Sequence, residues 1–431
     1  MTMKKLIILL LLLLLMAPNF TQGTKKDNFV PLNVSAGVCG IAPSQETILG
    51  SATYAVKNAI RLEPGAQLTV LIEKIKLKKS ANPDIAVLLT VPVKISKGDE
   101  YSFKALLDVS VKHRAVNYPE DNFLIVSNDP EDLPRPGTLI ESELKAGESA
   151  RLLYHHRAMD PKNYQRMLVV AINPTLVPAE LLFTPSIAGP DRDEVYIGHI
   201  ATTRYMQKVI DQEGMILEIL PLSSNVLISQ RAKYGEIVTA LAKLALLSGK
   251  SIVIKVIAED NESAAITQSI RIDKTFEHGR LGATFDQTAI DILKTYNVGS
   301  NLKSVRIGDA PYIRDPLSKM ALMGNYGIFY RIHLTLKNPT EQAATVGLFF
   351  APAGGIARGN LIVNGALRST GMVDPKNILA RREKLAEYFL PANSVREYNI
   401  ITMPQPGSFY PVKLVLREMD TMPLSEVFNE P

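Results

Sequence analysis

Two short motifs in this sequence bring together side chains that could do chemistry. His155 and His156 stand side by side in RLLYHHRAMD, and Asn325-Tyr326 is flanked by glycine on both sides. An imidazole can bind a metal ion, move a proton or hydrogen-bond to a ligand, and a tyrosine offers an amphipathic ring with a polar tip. We therefore take His155, His156, Asn325 and Tyr326 as the candidate ligand-binding residues.

The histidine pair also has a plainer explanation. Consecutive side chains of a strand point to opposite faces of a sheet, so His155 and His156 cannot easily share one metal ion. A zinc site needs further ligands at fitting spacing, and the other four histidines are scattered along the chain. The sequence favours a structural role, with one ring hydrogen-bonded in the core and the other facing solvent. Ligand contact and metal binding are the alternatives, and no metal site is predicted.

The Asn325-Tyr326 segment has two interpretations as well. Asn and Gly tolerate a left-handed backbone, so a turn or bulge here could aim Tyr326 at a ligand such as a sugar ring. The same tyrosine could instead cover the core of a β-sandwich with its hydroxyl bonded to backbone, as in a tyrosine corner. The structural role is favoured, which makes this segment the entry to the strand that follows.

Carboxylates are grouped in GPDRDEVYIGH, which contains Asp191, Asp193 and Glu194. Calcium loops also space oxygen ligands closely, but the EF-hand pattern is missing, so a solvated loop or capping of the following helix is favoured. Asp315 and Asp374 stand in separate loops without the spacing of an acid–base pair. The sequence contains no nucleophile elbow, Walker sequence or zinc-protease motif. We therefore predict no catalytic residue and no cofactor.

Segments that alternate apolar and polar residues, the period of a β-strand, must position these side chains. Glycine-containing turns separate the segments, and this rhythm indicates stacked antiparallel sheets. We predict an all-β fold of tandem immunoglobulin-like antiparallel β-sandwich domains with one or two short helices. One helix is predicted near 199–213 and ends at Gly214. Residues 235–249 have high helix propensity but are assigned, with the segment that follows, to a hairpin.

A faint internal repeat divides the strand-rich chain. Residues 168–189 and 334–355 both place Asn-Pro-Thr between two strands, because proline cannot donate to a central ladder. The repeat predicts two related sandwiches. The predicted segments are a signal peptide (1–23), an N-terminal β-sandwich (33–115), a central β-sandwich (120–275), a C-terminal β-sandwich (286–418) and a frayed tail (419–431), with linkers at 116–122 and 273–287.

Four segments carry a resemblance to a known family. They are ARLLYHHRAMDPKNYQRMLVVAINPT, AGPDRDEVYIGHIATTRYM, GNYGIFYRIHLTLKNPT and ITMPQPGSFYPVKLVL. Over residues 120–418 the chain resembles an uncharacterised family of secreted bacterial proteins with cyanobacterial and Gram-positive members. The His-His pair and the Gly-Asn-Tyr-Gly segment are its most specific marks. The resemblance implies export and a β-rich fold, and since the family has no assigned activity it implies no catalytic residue.

The N-terminal residues and the composition bear on location. MTMKKLIILLLLLLLMAPNFTQG has a charged start and an apolar run of eleven residues, which is too short to span a bilayer and is typical of a cleavable signal peptide. We expect a protein that is secreted or associated with the cell surface or envelope, without a transmembrane span after signal cleavage. The net charge is +5, and basic and acidic residues are interspersed along the chain. No nucleic-acid groove is therefore indicated.

These observations favour an exported non-enzymatic binding or scaffolding protein that acts at the bacterial cell envelope. An envelope polysaccharide or a surface protein is the expected partner. The absence of Trp, with 15 Tyr and 13 Phe present, counts against a polysaccharide site built on Trp. One alternative is a hydrolase or other enzyme acting on envelope carbohydrate or peptide, which a histidine and two carboxylates in one cleft would favour. The other is a self-assembling structural surface protein.

Overall fold

The computed structural model of this chain describes residues 28–77, 87–128, 131–133, 136–259, 282–377 and 381–419. These residues are mostly β-structure with two helices, which confirms the predicted fold class. They form two compact units: 28–117 with Gln212–Glu218, and Tyr118–Asp211 with the described residues from Ile219 on. The predicted signal peptide, residues 420–431 of the predicted tail and most of the linker predicted at 273–287 lie outside the described residues.

The first unit is one sheet covered by one helix. Its strands pair in the order β11-β1-β5-β4-β2, with β3 also paired to β4. The strands are β1 (Asn33–Cys39), β2 (Gln67–Val70), β3 (Lys76–Leu77), β4 (Val87–Lys97), β5 (Tyr101–His113) and β11 (Gly214–Ile219).

Helix α1 (Gln45–Ala59) takes the place of the second sheet that the sequence predicted for 33–115. It buries Ala52 and Val56 in the same core as Val91 and Leu107 of the sheet. Its N-cap is Ser44, whose hydroxyl accepts a hydrogen bond from the Thr47 amide. Such a capping residue marks a helix start, but the alternation that predicts strands does not reveal it. The first unit is therefore a sheet-and-helix structure and not a β-sandwich.

The second unit begins with a sandwich whose two sheets have the strand orders β15-β6-β8-β13-β10 and β12-β9-β14-β7. The Tyr154 hydroxyl of β8 donates to the Gln230 side chain of β12 and so joins the two layers. We call this the central sandwich. Its strands are β6 (Phe123–Ser127), β7 (Gly137–Lys145), β8 (Ser149–Arg157), β9 (Gln165–Asn173), β10 (Ala179–Asp191), β12 (Ser223–Ala232), β13 (Ile237–Ser248), β14 (Ser251–Glu259) and β15 (Ala283–Phe285).

Residues 237–248 form a strand, as predicted, but the predicted hairpin with the next strand is wrong. Strand β13 pairs with β8 and β10, whereas β14 pairs with β7 and β9 in the other sheet. Ten consecutive residues of β13 are buried, because both faces of the sheet are covered here, by the second sheet of the central sandwich on one side and by helix α2 and the C-terminal sandwich on the other. The turn after Ser248 is therefore a corner between sheets.

The second unit continues with the C-terminal sandwich, whose sheets have the orders β16-β18-β23-β20-β21 and β17-β24-β19-β22. Most neighbouring strands are antiparallel, as predicted, but β1–β5, β6–β8 and β16–β18 pair in parallel. The strands are β16 (Ala289–Asn297), β17 (Lys303–Ile307), β18 (Phe329–Asn338), β19 (Ala344–Pro352), β20 (Asn360–Val363), β21 (Ala366–Ser369), β22 (Glu383–Leu390), β23 (Ser394–Thr402) and β24 (Val412–Glu418).

Helix α2 (Glu194–Ile210) lies between the two sandwiches of the second unit. It packs against β10 and β13 on one side and against β20 on the other. A Cβ at Gly198 would overlap the carbonyl oxygen of Pro406, so the close approach requires glycine. The helix predicted near 199–213 is thus present, but it begins earlier, after Asp193, and ends before Asp211. Gly214 belongs to β11 and does not cap it.

None of the helices that the structure describes is long and apolar enough to cross a membrane.

Candidate functional site

Strand β8 holds His155 in the sheet face that turns toward the C-terminal sandwich. The side chain is only 1% exposed, and its Nδ1 lies 2.6 Å from the hydroxyl of Thr239, its neighbour on β13. Its Nε2 has no hydrogen-bond partner among the described residues. Burial, reinforced by the charges of His156 and Arg157, lowers the pKa of His155 to about 3. The ring is therefore neutral near pH 7, with one buried nitrogen unpaired.

Two carboxylates lie beside this imidazole. One ligand atom from each of Glu131, His155 and Glu194 lies within 4.8 Å of the other two. Glu131 follows β6 and is exposed, and its carbonyl oxygen accepts a 2.8 Å hydrogen bond from the Arg157 amide. Glu194 is the first residue of α2 and is half-buried. Three separate segments thus converge on one donor set of a nitrogen and two carboxylates.

Arg157 orients the acidic side of this group. It follows His155 by two residues on the same strand and so lies on the same sheet face. Its guanidinium is 2.6 Å from Glu194 Oε2 and 3.1 Å from Asp132 Oδ1. Since a carboxylate has two oxygens and about four acceptor sites, Glu194 can accept from Arg157 and still interact with a further group.

Tyr326 and Glu131 line one cleft of about 310 Å³, together with Asn128, Phe285 and Met323 among others. The Tyr326 hydroxyl donates a 2.9 Å hydrogen bond to the Ser408 carbonyl. Burial, with the negative charges of Glu131 and Glu194, raises the pKa of Tyr326 to about 12. Tyr326 is therefore close enough to both carboxylates to experience their field. It is also anchored to backbone, as the structural interpretation predicted.

A buried ion cluster fixes β8 against the C-terminal sandwich. Asp121 accepts from Arg151 and from Lys243, each at 2.5 Å. The Arg151 guanidinium also donates to the Gly327 carbonyl at 2.6 Å and stacks 3.9 Å from the centre of the Phe329 ring. Burial alone would raise the pKa of Asp121, but the two cations outweigh it and hold the pKa below its usual value. This cluster sets the position of β8, and hence of His155, relative to the segment that carries Tyr326.

His156 lies on the opposite face of β8, inside the central sandwich. Its Nε2 is 2.9 Å from the Ser127 hydroxyl, and its Nδ1 is 3.3 Å from the Glu131 carbonyl. Both histidines are buried, so the prediction that one of them faces solvent is wrong. The sheet is covered on both faces at this point, by the central sandwich core on one side and by the C-terminal sandwich on the other.

The Asn325 side chain makes its hydrogen bonds within the C-terminal sandwich. Its backbone has φ +49°, and its side-chain oxygen accepts a 3.0 Å hydrogen bond from the Ile313 amide. Its amide donates to the Tyr330 hydroxyl at 2.9 Å and to the Asp309 carbonyl. Among the four candidate residues, the structure thus places His155 and Tyr326 near the same carboxylates, and it places His156 and Asn325 within sandwich cores.

The remaining acidic residues serve local backbone geometry. Asp193 caps α2 by accepting from the Tyr196 amide at 2.9 Å, and Asp191 accepts from the next two backbone amides. These contacts agree with the capping interpretation of the acidic segment. Asp315 and Asp374 likewise accept from amides two residues further on.

Sequence reasoning missed Glu131 as a site residue. It lies in NDPEDLPRP, where neither periodicity nor spacing relates it to a histidine 24 residues later. Glu194 lies in the acidic segment whose spacing indicates a calcium loop or helix capping and does not indicate a partner for a histidine. The signal available in the sequence was the adjacency of Glu194 to a helix start, and this did not indicate which strand the helix would meet.

No protein-family model matches the sequence, and no curated protein matches it. Among solved structures, several are similar to the chain at low sequence identity. They include the M60 catalytic domain with the CBM51-1 and CBM51-2 domains from Clostridium perfringens ZmpB (7% identity, TM-score 0.17, 91% of this chain and 46% of that one), tripeptidyl peptidase 2 (10%, 0.18, 85% and 31%), and the CBM22-1-CBM22-2 tandem domain from Paenibacillus barcinonensis Xyn10C (8%, 0.13, 83% and 94%).

The chain spans 46% and 31% of the length of the first two of these structures. TM-scores of this size carry no argument about what the chain binds, so the site must be interpreted from its own residues. The resemblance to secreted bacterial proteins stays a prediction.

Proposed function

We propose that this chain is an exported, non-enzymatic binding protein of the bacterial cell envelope, and that its ligand enters the cleft lined by Glu131 and Tyr326. The observation that carries the proposal is the convergence of Glu131, His155 and Glu194 within 4.8 Å beside that cleft. Export rests on the signal-peptide pattern of residues 1–23 and on the resemblance to secreted bacterial proteins.

The lining of the cleft favours a ligand that presents both hydroxyl groups and an apolar surface. Glu131 supplies acceptor oxygens, while Phe285, Met323 and the Tyr326 ring supply apolar contact. Ligand sites commonly combine an apolar lining with a few polar groups that fix orientation. A sugar ring meets both requirements, so the proposed partner is an envelope polysaccharide. A surface protein is the other partner that the sequence allows.

The proposal assigns no reaction because the imidazole is poorly suited to carry a proton. A general acid or base works best when its pKa is near the working pH. His155 is buried and its pKa is lowered to about 3, so at neutral pH it does not become protonated to a useful extent. The site is better suited to contact than to proton transfer.

A hydrolase acting on envelope carbohydrate or peptide is the second candidate. The specific observation in its favour is that a histidine and two carboxylates do lie together. Exposed Glu131 and half-buried Glu194 would then carry the chemistry, with the imidazole orienting them. Turnover of an envelope polymer distinguishes this candidate from binding.

Co-sedimentation of the purified protein with envelope fractions and with isolated envelope polysaccharide tests the proposal. We expect saturable binding that the Glu131→Gln/Tyr326→Phe variant loses. Asp132→Asn is the matched control, because Asp132 is the neighbouring exposed carboxylate and also pairs with Arg157. The same mixtures are assayed for released reducing sugars and peptides.

Three outcomes decide between the candidates. Binding lost in the double variant and kept in the control, with no release over time, supports the proposal. Release that stops in Glu131→Gln overturns the non-enzymatic part and establishes the hydrolase. No binding to any fraction, with circular dichroism showing a folded protein, overturns the proposed function altogether.

A further inference from the structure

We propose that Glu131, His155 and Glu194 bind one divalent transition-metal ion, with Zn²⁺ preferred over Ca²⁺ and Mg²⁺. The proposal shares the cleft of the proposed function and deepens it, since a bound metal would be part of what the ligand meets. It can nevertheless be tested with the metal alone.

The unpaired imidazole nitrogen is the first support for this site. Buried polar atoms normally have a hydrogen-bond partner, and each exception calls for an explanation such as an ion. Nε2 of His155 has none among the described residues, although the side chain is only 1% exposed. Nδ1 is held by the Thr239 hydroxyl, which leaves Nε2 as the nitrogen that can bind a cation.

The way in which the ligands are held is the second support. A metal-binding histidine almost always uses its other ring nitrogen in a hydrogen bond that fixes the ring, and metal-binding carboxylates are themselves hydrogen-bonded. Thr239 does this for His155, and Arg157 does it for Glu194 at 2.6 Å. Two of the three proposed ligands therefore already have an orienting partner.

The distances suit an ion once one side chain adjusts. Zinc binds imidazole nitrogen and carboxylate oxygen at about 2.0–2.2 Å, so two ligands of one ion lie at most about 4.4 Å apart. The atoms of the three residues lie within 4.8 Å of one another. Glu131 is exposed, and a change of side-chain rotamer at an exposed position can close the few tenths of an ångström that remain.

Charge and donor chemistry select the kind of ion. Glu131 and Glu194 are acidic and Arg157 is basic, so the site and its orienting arginine together carry one excess negative charge. Imidazole favours Zn²⁺ and its transition-metal neighbours, whereas Ca²⁺ and Mg²⁺ prefer all-oxygen sites. Three protein ligands also leave a position of a zinc ion open for a water or a ligand oxygen.

Isothermal titration of the chelator-treated protein with ZnCl₂, CaCl₂ or MgCl₂ alone tests the inference. We expect one Zn²⁺ per chain and much weaker binding of the other two ions. Glu131→Gln and Glu194→Gln should each weaken zinc binding at least about tenfold, a loss that even altered partners of metal ligands can produce. His155→Gln should weaken it similarly, and if that variant fails to fold the two carboxylate variants, at exposed and half-buried positions, still decide the question.

Two variants control for surface binding. Asp132→Asn removes an adjacent carboxylate, and His333→Gln removes an exposed imidazole that contacts Asn399 on the C-terminal sandwich. Both should bind zinc like the unaltered protein. Absence of one-to-one zinc binding, or equal binding by a folded Glu131→Gln/Glu194→Gln double variant, overturns the inference. If zinc does not bind but co-sedimentation persists, only the metal is rejected; if zinc binds without any envelope binding, only the proposed function is rejected.

Discussion

At their Asn-Pro-Thr turns, the central and the C-terminal sandwiches make the same hydrogen bonds. Asn173 donates to the Val177 carbonyl at 2.8 Å, and Asn338 donates to the Gln342 carbonyl at 2.7 Å. In both turns the threonine two residues later donates its hydroxyl to the asparagine oxygen at 2.7 Å. Both asparagines are buried, and each also donates to a backbone carbonyl that is remote in the chain.

The two sandwiches differ on the strand that carries the site. In the central sandwich β10 pairs with β13 and β13 with β8, and in the C-terminal sandwich β19 pairs with β24 and β24 with β17. Ser186 and Ala351 lie the same number of residues after the asparagine of their own turn. The strand pairings lead from Ser186 across the sheet to Leu153 of β8, and from Ala351 across the corresponding sheet to Arg306 of β17. Two residues further on, His155 therefore has Gly308 as its counterpart.

Gly308 leaves no room for a side chain at that place. Its φ is +74°, and a Cβ would lie 2.8 Å from the Gly324 carbonyl oxygen and from Tyr410. In the C-terminal sandwich, backbone and side-chain atoms around Gly308 occupy the space in which the central sandwich has the imidazole of His155. The repeat thus supplies a shared scaffold, and at this register position the central sandwich has a histidine where the C-terminal sandwich has a glycine.

The largest expected effect concerns the buried ion cluster that joins the two sandwiches. Asp121→Asn leaves Arg151 and Lys243 buried without their counter-charge, so the free energy of unfolding should fall by about 3–5 kcal/mol. If the cluster holds the sandwiches together, urea unfolding followed by circular dichroism should also separate into two transitions. Glu120→Gln, which removes the exposed partner of Arg331, is the control and should leave the curve nearly unchanged. An Asp121→Asn curve that matches the control would contradict a joining role.

Acid should weaken the same junction in a defined direction. Since the pKa of Asp121 is below its ordinary value of 3.8 in the folded protein, its contribution to stability is complete above that value and is lost as the pH falls through the lowered folded pKa. The unaltered protein should therefore lose stability faster than Asp121→Asn on acidification below pH 3.8. If the unaltered protein and Asp121→Asn lose stability equally as the pH falls, Asp121 is not responsible for the loss.

An intermediate effect is expected at the two Asn-Pro-Thr turns. Asn173→Ala and Asn338→Ala each remove the side-chain donor from a buried backbone carbonyl and from further carbonyls of the turn, so each should lower the free energy of unfolding by about 3 kcal/mol. Equal losses of unfolding free energy in chemical denaturation would show that the two turns contribute equally to stability, as well as making the same hydrogen bonds. A loss in only one of the two variants would mean that the matching hydrogen bonds do not stabilise the two sandwiches alike.

The smallest of these effects should come from Gly308→Ala. Strain at a positive φ and crowding against the Gly324 carbonyl should together lower stability by about 2 kcal/mol. Gly299→Ala has a similar φ of +82° but open space around the added Cβ, so its thermal midpoint should fall less. Equal shifts would show that crowding does not contribute at Gly308, and that this position could have accommodated a side chain.

Much of the β-structure could be predicted from the sequence, because alternation of apolar and polar residues is a local property. The strands, the Asn-Pro-Thr repeat and helix α2 follow from such patterns. Strand alternation does not predict helix α1, whose start is marked only by a capping residue, Ser44, between two strand-rich segments. Alternation also could not show that β13 and β14 belong to different sheets, since this depends on which neighbours each strand meets.

Residue chemistry alone was enough to single out His155 and Tyr326, and the adjacency of two histidines on a strand was enough to place them on opposite faces. The partners of His155 were decided by the tertiary structure. Glu131 approaches from a loop whose backbone is hydrogen-bonded to Arg157 of β8, and Glu194 reaches the imidazole because helix α2 packs between the two sandwiches. Contacts of this kind join segments far apart in the chain, so no local pattern encodes them.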